Sequence, residues 1–318
     1  MRHPWWRGAC AVAVATSMLR CVAQQPTTTS SPTAAQTCAA EAAQRSIAKG
    51  DFKEAEAELR QSLAVAFPCP EEHFLLGYAL LRQNRAKESL AEYTAAARLR
   101  TPAASDLRSV ALDYVLLNDY QDAERWIRRA LQIDTKDSES WYVLGRISYS
   151  TGKFQNAADA FIRVLTLEPT SVKAEVNLGL AYEGLNQVDK AIEAYRKAIS
   201  FGDAAGKPSE QPLIDLAIVL EHRSDLEGAR DLLGRAILLA PDDGRARENL
   251  GHVYLDLGEL PQASEQLEKA VTLSPRDSRL HYLLGQIYRR QGLTEKAKSE
   301  FARSAVLTGA HSTPDYVK

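Results

Sequence analysis

The segment Ser138–Ser171, SESWYVLGRISYSTGKFQNAADAFIRVLTLEPTS, contains the pattern that decides the fold of this chain. Its Ala157 has counterparts in the same phase along nearly the whole sequence, and six of the seven steps between them are 34 residues long. The counterparts are Ala55, Ser89, Ala123, Ala191, Ala229, Ala263 and Ala297. A fixed period of this size predicts stacked copies of one supersecondary unit rather than a single globular core.

Residues that accompany the alanine define two helices in each copy. Phe161 and Val164 follow Ala157 by four and seven residues, which places all three on one face of a helix. The pair Leu144-Gly145 ends twelve residues before Ala157 and marks an earlier helix, in which the small residue lets a neighbouring backbone approach. The pattern therefore predicts two amphipathic helices per copy.

The turn between these helices is occupied by residues that enter the left-handed conformation at low cost. Gly152 stands five residues before Ala157, and the equivalent positions hold Gly50, Asn84, Asn118, Asn186, Ser224, Gly258 and Gly292. Pro169 follows Ala157 by twelve residues, where it predicts the end of the second helix. Each copy is thus predicted as helix, tight turn, helix and stop.

With Trp141, Leu144, Gly145, Ala157, Phe161 and Pro169, the quoted segment resembles a tetratricopeptide repeat of the exported bacterial type. The resemblance implies an all-α, right-handed superhelical solenoid of about eight helix-turn-helix repeats over residues 36–311. The predicted units are 36–69, 70–103, 104–137, 138–171, 172–205, 210–243, 244–277 and 278–311.

The single 38-residue step places four extra residues within Phe201–Pro212, FGDAAGKPSEQP. Two glycines and two prolines there predict a mobile loop. Two interpretations remain open: a tolerated surface insertion, or a hinge between a block of five units and a block of three. Residues 312–318 are predicted to form a flexible tail.

The N-terminal region differs from the repeats. Residues 1–23 combine a basic start, an apolar stretch and the sequence Cys21-Val22-Ala23, as in a secretory signal peptide cleaved after Ala23. A retained anchor is the alternative, although the apolar stretch is short for a bilayer span. Residues 24–35, rich in Thr, Ser and Pro, predict a disordered linker. We therefore expect an exported protein, periplasmic or secreted, with no membrane span in the mature chain.

Two cysteines, Cys38 and Cys69, follow the predicted cleavage site. Both begin first helices of consecutive units, which a tetratricopeptide stack lays side by side. In an oxidising compartment they form either a disulfide or two unpaired thiols, and the sequence leaves both open.

The sequence contains little that predicts chemistry. The 39 basic and 41 acidic residues give a net charge of −2, which argues against nucleic acid as a partner. None of the six histidines pairs with another His or Cys at metal-ligand spacing, and no phosphate-binding or nucleophile motif occurs. We expect no catalytic residues, no metal and no cofactor.

The family resemblance implies that the first helices line a concave groove, which binds an extended peptide or a partner's helix. The predicted groove residues are Phe74, Tyr78, Arg82, Tyr142, Arg146, Tyr149, Lys173, Asn177, Asn249, His252, Tyr282, Gln286 and Arg289. Aromatic rings beside Arg and Asn supply both contact area and hydrogen bonds to a peptide. A non-catalytic protein-protein interaction module is the expected function. The alternatives are a scaffold of an envelope complex that self-associates and, third, an accessory subunit of an enzyme system.

Overall fold

The structure is a computed structural model, and it describes residues 34–65 and 69–309. Over these residues, sixteen α-helices pair into eight antiparallel hairpins, with no β-strand among them. The first helices are α1 (Ala34–Lys49), α3 (Pro70–Arg82), α5 (Ala104–Leu116), α7 (Ser138–Ser150), α9 (Val172–Gly184), α11 (Glu210–His222), α13 (Gly244–Asp256) and α15 (Ser278–Arg290). The second helices are α2 (Phe52–Val65), α4 (Ala86–Leu99), α6 (Tyr120–Ile133), α8 (Phe154–Leu167), α10 (Val188–Ala204), α12 (Leu226–Leu239), α14 (Leu260–Leu273) and α16 (Thr294–Thr308). The predicted all-α repeat solenoid is confirmed.

The two helices of a hairpin pack closely because a small residue of the first faces a large residue of the second. Ala157 on α8 and the ring of Phe161 are both fully buried. Gly145 on α7 lies directly over this ring, so close that a Cβ atom there would be 2.5 Å from Phe161 Cε1. The recurrent pair Leu144-Gly145 is thus explained by helix-to-helix contact.

The turns adopt the conformation expected from their residues. Gly152, Asn118 and Ser224 have φ angles of +71°, +58° and +62°, and the other predicted turn residues are also left-handed. In the turn after α7, the amide of Lys153 donates to the carbonyl of Ser148 at 2.9 Å. This bond closes the end of the first helix and fixes the direction of the second.

Apolar clusters of neighbouring hairpins share residues in the second half of the array. Tyr182 packs in the cluster between α8 and α10 and also in the cluster that continues through α11, α12 and α13. Tyr254 likewise contacts that cluster and the one formed by α14, α15 and α16. Each repeat therefore completes the burial of its neighbour.

The segment 201–212 differs from the predicted mobile loop. Helix α10 has 17 residues and continues to Ala204, so the connection to α11 is reduced to residues 205–209. Gly206 ends the helix with a φ angle of +65°, and Pro212 is buried in the first turn of α11. Proline is tolerated in a first turn because its missing N–H would have no helical acceptor there. The extra residues therefore lengthen a helix instead of forming a long loop.

Several predicted segments lie outside the described residues. These include the signal peptide at 1–23, the tail at 312–318 and most of the linker at 24–35, although α1 already begins at Ala34. Over the described ranges, every helix is too short or too polar to traverse a lipid bilayer.

Candidate functional site

The predicted groove residues form three groups along the first helices. One lies on α3, a central group spans α7 and α9, and a third extends over α13 and α15. The central group presents most contacts between side chains of neighbouring repeats.

In the central group, side chains of adjacent repeats hold one another in position. Asn177 Nδ2 on α9 donates to the hydroxyl of Tyr142 on α7 at 3.2 Å. Lys173 Nζ lies 4.8 Å from the centroid of the Tyr142 ring and also forms an ion pair with Glu139. The ring of Tyr142 is thereby fixed by a cation and an amide from the next hairpin.

Two further residues of this group remain open to solvent. Tyr149 is 38% exposed and packs edge-to-face on Phe154, with centroids 5.5 Å apart. Arg146 is exposed, and within the described residues its guanidinium has no ion-pair or hydrogen-bond partner. These two side chains can contact a partner without first breaking an interaction inside the chain.

The recurring asparagine on the first helices serves partly to stabilise its own helix. Asn177 Nδ2 donates to the carbonyl of Lys173 at 2.8 Å, and Asn249 Nδ2 donates to the carbonyl of Arg245 at 2.9 Å. Because the same bond forms in both repeats, the amide nitrogen is already engaged at both positions. The amide oxygen has no such bond to its own helix.

At α3 the structure corrects one predicted groove residue. Phe74 is only 6% exposed, because it packs against Tyr93 and is covered by Arg100, whose Cζ lies 4.4 Å from the ring centroid. Tyr78 is half-buried and accepts a hydrogen bond from Arg82 at 3.0 Å. Phe74 is thus buried inside its repeat and does not present its ring to the groove, while Arg82 remains exposed.

At the other end, the group on α13 and α15 is more open. Tyr282 is 53% exposed and leans on Phe301, with ring centroids 5.6 Å apart, and Arg289 lies 5.7 Å from the same ring. His252 and Gln286 are half-buried. The predicted residues are therefore distributed along the array, and in the central group they contact each other across two neighbouring repeats.

An acidic stretch between these groups was missed from the sequence. Glu183 accepts a hydrogen bond from Tyr195, and Asp215 accepts from Gln211 Nε2 at 2.7 Å. Burial raises the pKa of Asp215 to about 6, with the charge of Glu183 adding to the effect. Burial also raises the pKa of Glu221. Their spacing along α9 and α11 matches that of the predicted groove residues, so the signal was present in the sequence.

The predicted cysteine pair is only half described. Cys69 Sγ lies 3.6 Å from Glu71 Oε2, whereas the Cys38 side chain lies outside the described residues. The choice between a disulfide and two thiols stays open. In the part of the chain that is described, no three His, Cys, Asp or Glu side chains are grouped as metal ligands.

A second concavity was also missed. It is a crevice of about 530 Å³ between α6, α7 and α8, with Trp141 and Ser148 in its lining. Its lining comes mainly from the second helices, away from Arg146 and Tyr149.

Family models match several parts of the chain. The model described as "TPR repeat" matches residues 251–292, and the one described as "Tetratricopeptide repeat" matches residues 40–105 and 214–263. The model "Anaphase-promoting complex, cyclosome, subunit 3" matches residues 117–198.

Individual proteins show the same likeness. Anaphase-promoting complex subunit 3 of Schizosaccharomyces pombe is 22% identical over 136 residues, which are 43% of this chain and 20% of that protein. Protein O-mannosyl-transferase TMTC1 of Homo sapiens is 28% identical over 181 residues, 55% of this chain and 20% of that protein. The chain thus spans about a fifth of the length of these curated relatives.

A solved structure shares the architecture. A tetratricopeptide repeat protein from Parabacteroides merdae superposes with a TM-score of 0.60 at 20% identity, over 75% of this chain and 93% of that one. At this identity the likeness concerns the fold alone. Together, the repeat models matched over parts of the chain and the shared hairpin solenoid make this chain similar to tetratricopeptide repeat proteins.

Proposed function

We propose that this chain is a non-catalytic protein-interaction module, and that a peptide or partner segment binds along the first helices at the central group. The central group consists of Tyr142, Arg146, Tyr149, Lys173 and Asn177. A preformed surface of this kind loses little conformational entropy when a partner binds, since its side chains are already ordered.

The observation that supports this proposal is the unpaired Arg146 between two tyrosines. Tyr142 is held by Asn177 and Lys173, Tyr149 is exposed, and Arg146 has no partner among the described residues. Tyrosine and arginine dominate the binding energy of many protein interfaces, because they combine contact area with polar groups. An arginine with no internal partner retains its full capacity for a carboxylate or carbonyl of the partner.

The test is capture of partners from an extract of the native organism, with quantitative mass spectrometry of the bound proteins. Arg146→Glu with Lys173→Glu reverses two charges of the central group. We expect the captured amount of the specific partner to fall at least about tenfold, because a desolvated charge pair at an interface contributes a few kcal/mol. Circular dichroism checks that the helical content is unchanged.

A matched control reverses the same number of charges far from the central group. Lys298 and Arg303 are exposed on α16, so Lys298→Glu with Arg303→Glu should leave capture unchanged. If the central double variant captures the same partner as the unmodified protein, the central group is not the binding site. A chain that instead assembles with itself in sedimentation would favour the scaffold function.

We also propose that the protein is exported, which rests on the signal-like residues 1–23 and on the linker composition of residues 24–35. N-terminal sequencing of the protein from its native cells provides the test. A mature chain that begins at Gln24 is expected, and an intact Met1 in a cytoplasmic fraction would contradict export.

A further inference from the structure

The crevice between α6, α7 and α8 can be related to the repeat pattern. Leu144 and Ser148 on α7 line it, as does Trp141, whose Nε1 donates to the carbonyl of Thr135 at 3.0 Å. The volume of about 530 Å³ is within the range of ordinary ligand sites.

The crevice lies where Ser148 occupies a slot that is also a serine in the first repeat, Ser46, but holds a larger residue in the six remaining repeats. The equivalent residues are Leu80, Tyr114, Tyr182, Leu220, Tyr254 and Tyr288. Ser148 is fully buried, and its Oγ has no hydrogen-bond partner within the described residues. A buried hydroxyl without a partner is unfavourable, so this atom is suited to an incoming polar group.

The other repeats show what fits in this slot. In the last repeat, the ring of Tyr288 lies between α14 and α16: its hydroxyl donates to Glu268 Oε1 at 2.7 Å, and Lys296 Nζ is 5.1 Å from the ring centroid. Tyr182 has the same relation to Lys190, at 5.4 Å. In these two repeats, therefore, the slot is filled by a tyrosine of the chain itself, which also makes polar contacts there.

The residues that flank the crevice differ in charge from those that flank the equivalent slot of the last repeat. Arg128 stands 20 residues before Ser148, as Glu268 does before Tyr288, so a guanidinium replaces the carboxylate at that wall. Arg128 also pairs with Glu124 at 2.8 Å. Arg163 on α8 lines the crevice without an ion-pair partner in the described ranges, whereas Asp159 is bonded to Gln155. A phenolic oxygen can accept from Arg128, and a neighbouring carboxylate can pair with Arg163.

We infer that the crevice binds a tyrosine side chain of a partner protein, in a segment that carries an acidic residue beside the tyrosine. The ring takes the slot that Tyr182 and Tyr288 fill in their own repeats, and the acidic residue pairs with Arg163. This site is separate from the central group, because Ser148 and Arg146 point about 200° apart around α7. It goes beyond the proposed function, whose groove lies on the other face.

The test is a nuclear magnetic resonance titration of the full chain with N-acetyl-L-tyrosine, which combines the phenol with a carboxylate. The indole N–H of Trp141 reports on the crevice, and that of the buried Trp126 serves as reference. A single buried ring supports a dissociation constant of the order of 10 mM, so we expect a saturable shift of the Trp141 signal in that range. N-acetyl-L-alanine, which lacks the ring, should cause no saturable shift.

Two matched variants separate the cavity from the hydroxyl. Ser148→Tyr fills the crevice with the residue that other repeats have and should abolish the shift, whereas Ser148→Ala keeps the cavity and should retain the shift at a higher dissociation constant, because the hydroxyl is lost. Asn156→Trp, at the exposed rim on α8, blocks the crevice without changing Ser148 and guards against a folding defect of the first variant.

The double variant Arg146→Glu with Lys173→Glu should leave the titration unchanged. This result distinguishes a failure of the present inference from a failure of the proposed binding at the central group. The inference is overturned if Trp141 shows no saturable shift in the unmodified protein. It is equally overturned if well-folded Ser148→Tyr or Asn156→Trp protein binds the probe as the unmodified protein does.

Discussion

At the scale of single residues, each hairpin is held by a match of sizes between two positions. Aromatic residues on the second helix face glycine on the first, as Phe161 faces Gly145, while Ile127 and Leu233 belong to repeats with Ala111 and Ala217 in the glycine slot. A flat ring that approaches the backbone leaves no room for a Cβ atom, and Leu267 also stands only 2.8 Å from where a Cβ atom on Gly251 would lie. Glycine therefore occurs opposite either kind of side chain, whereas alanine occurs in this slot only opposite an aliphatic one.

Gly145→Ala should lower the free energy of unfolding by about 1 to 3 kcal/mol, because the new Cβ would stand 2.5 Å from the buried Phe161 ring. In a Phe161→Leu background the same substitution should cost much less, as in the repeats that already combine alanine with an aliphatic residue. Chemical denaturation of the four proteins of this cycle measures the coupling.

The control is Gly234→Ala on α12, where a Cβ atom would meet nothing within 4 Å. It should stabilise the protein by about 0.5 to 1 kcal/mol, since alanine restricts the unfolded chain and favours helix. Equal effects at Gly145 and Gly234 would contradict the argument from ring contact.

One departure from the alanine phase is explained by a partner in the next repeat. Ser89 Oγ lies 2.6 Å from Asp113 Oδ2 and 2.8 Å from the carbonyl of Gly77. Asp113 is fully buried, and burial raises its pKa to about 7 although the hydrogen bond to Ser89 opposes this. When protonated, Asp113 Oδ2 can donate to Ser89, which then donates to Gly77, while Asp113 Oδ1 has no hydrogen-bond partner among the described residues.

Asp113 should make the protein less stable as the pH rises. Between about pH 4 and pH 7 the folded protein retains a proton on Asp113 that the unfolded chain has lost, so the free energy of unfolding falls with pH. Relative to the Asp113→Asn variant, the free energy of unfolding should fall by about 4 kcal/mol by pH 8. This follows from a difference of about three units between the pKa of Asp113 in the folded and in the unfolded protein. Urea denaturation of both proteins from pH 4 to pH 8 measures it.

The double variant Ser89→Ala with Asp113→Ile reproduces the Ala123 and Ile147 arrangement of the neighbouring repeat. Its stability relative to Asp113→Asn should not change over this pH range. Taking the difference between variants removes the contribution of other raised carboxyl groups such as Asp215. A constant difference between unmodified protein and Asp113→Asn at pH 5 and pH 8 would refute the assignment.

At the scale of helices and turns, the sequence predicts most of the architecture because the rules involved are local. The turn residues, from Gly50 to Gly292, are all left-handed in the structure. The extension of α10 to Ala204 was not predicted, since Gly202 and Pro212 were read as loop residues. Gly202 is buried where the backbone of Lys207 passes close, so its role depends on a contact that only the folded connection creates.

The same limit applies to the candidate sites. Arg146 and Tyr149 were assigned to the groove by the family resemblance, but the burial of Phe74 depends on Arg100, which lies beyond the end of the following helix. The crevice depends on three helices and on one missing ring at Ser148. Local periodicity predicts which face a residue occupies, and contacts between repeats decide whether it is accessible.

Ser224 is the one turn residue that is neither Gly nor Asn, yet its φ angle is +62°. Ser224→Gly should raise the free energy of unfolding by about 1 kcal/mol, since a Cβ atom makes the left-handed conformation costly. Thermal or urea unfolding measures the change. Ser200→Gly on the exposed side of α10 is the matched control and should instead lower stability by about 0.5 kcal/mol.

At the scale of the whole molecule, the apolar core is continuous across the point where the repeat spacing changes. Tyr195 and Ala198 on α10 belong to one buried cluster with Leu213, Ile214 and Ala217 on α11. Arg235 on α12 also pairs with Asp203 in the extension of α10, at 3.1 Å. These contacts argue that the five repeats before the connection and the three after it unfold together.

A protease recognition sequence inserted between Gly206 and Lys207 tests this continuity. Both residues are exposed in a short connection, and a longer surface loop costs little free energy, so the uncut protein should fold normally. After cleavage the two fragments should remain associated on gel filtration, because the cluster around Tyr195 and Leu213 holds them together. Leu213→Asp in the same background supplies the control: it places a charge in that cluster and should release the fragments after cleavage. Fragments that separate without this substitution would show that residues 205–209 connect two independent blocks, as a hinge would.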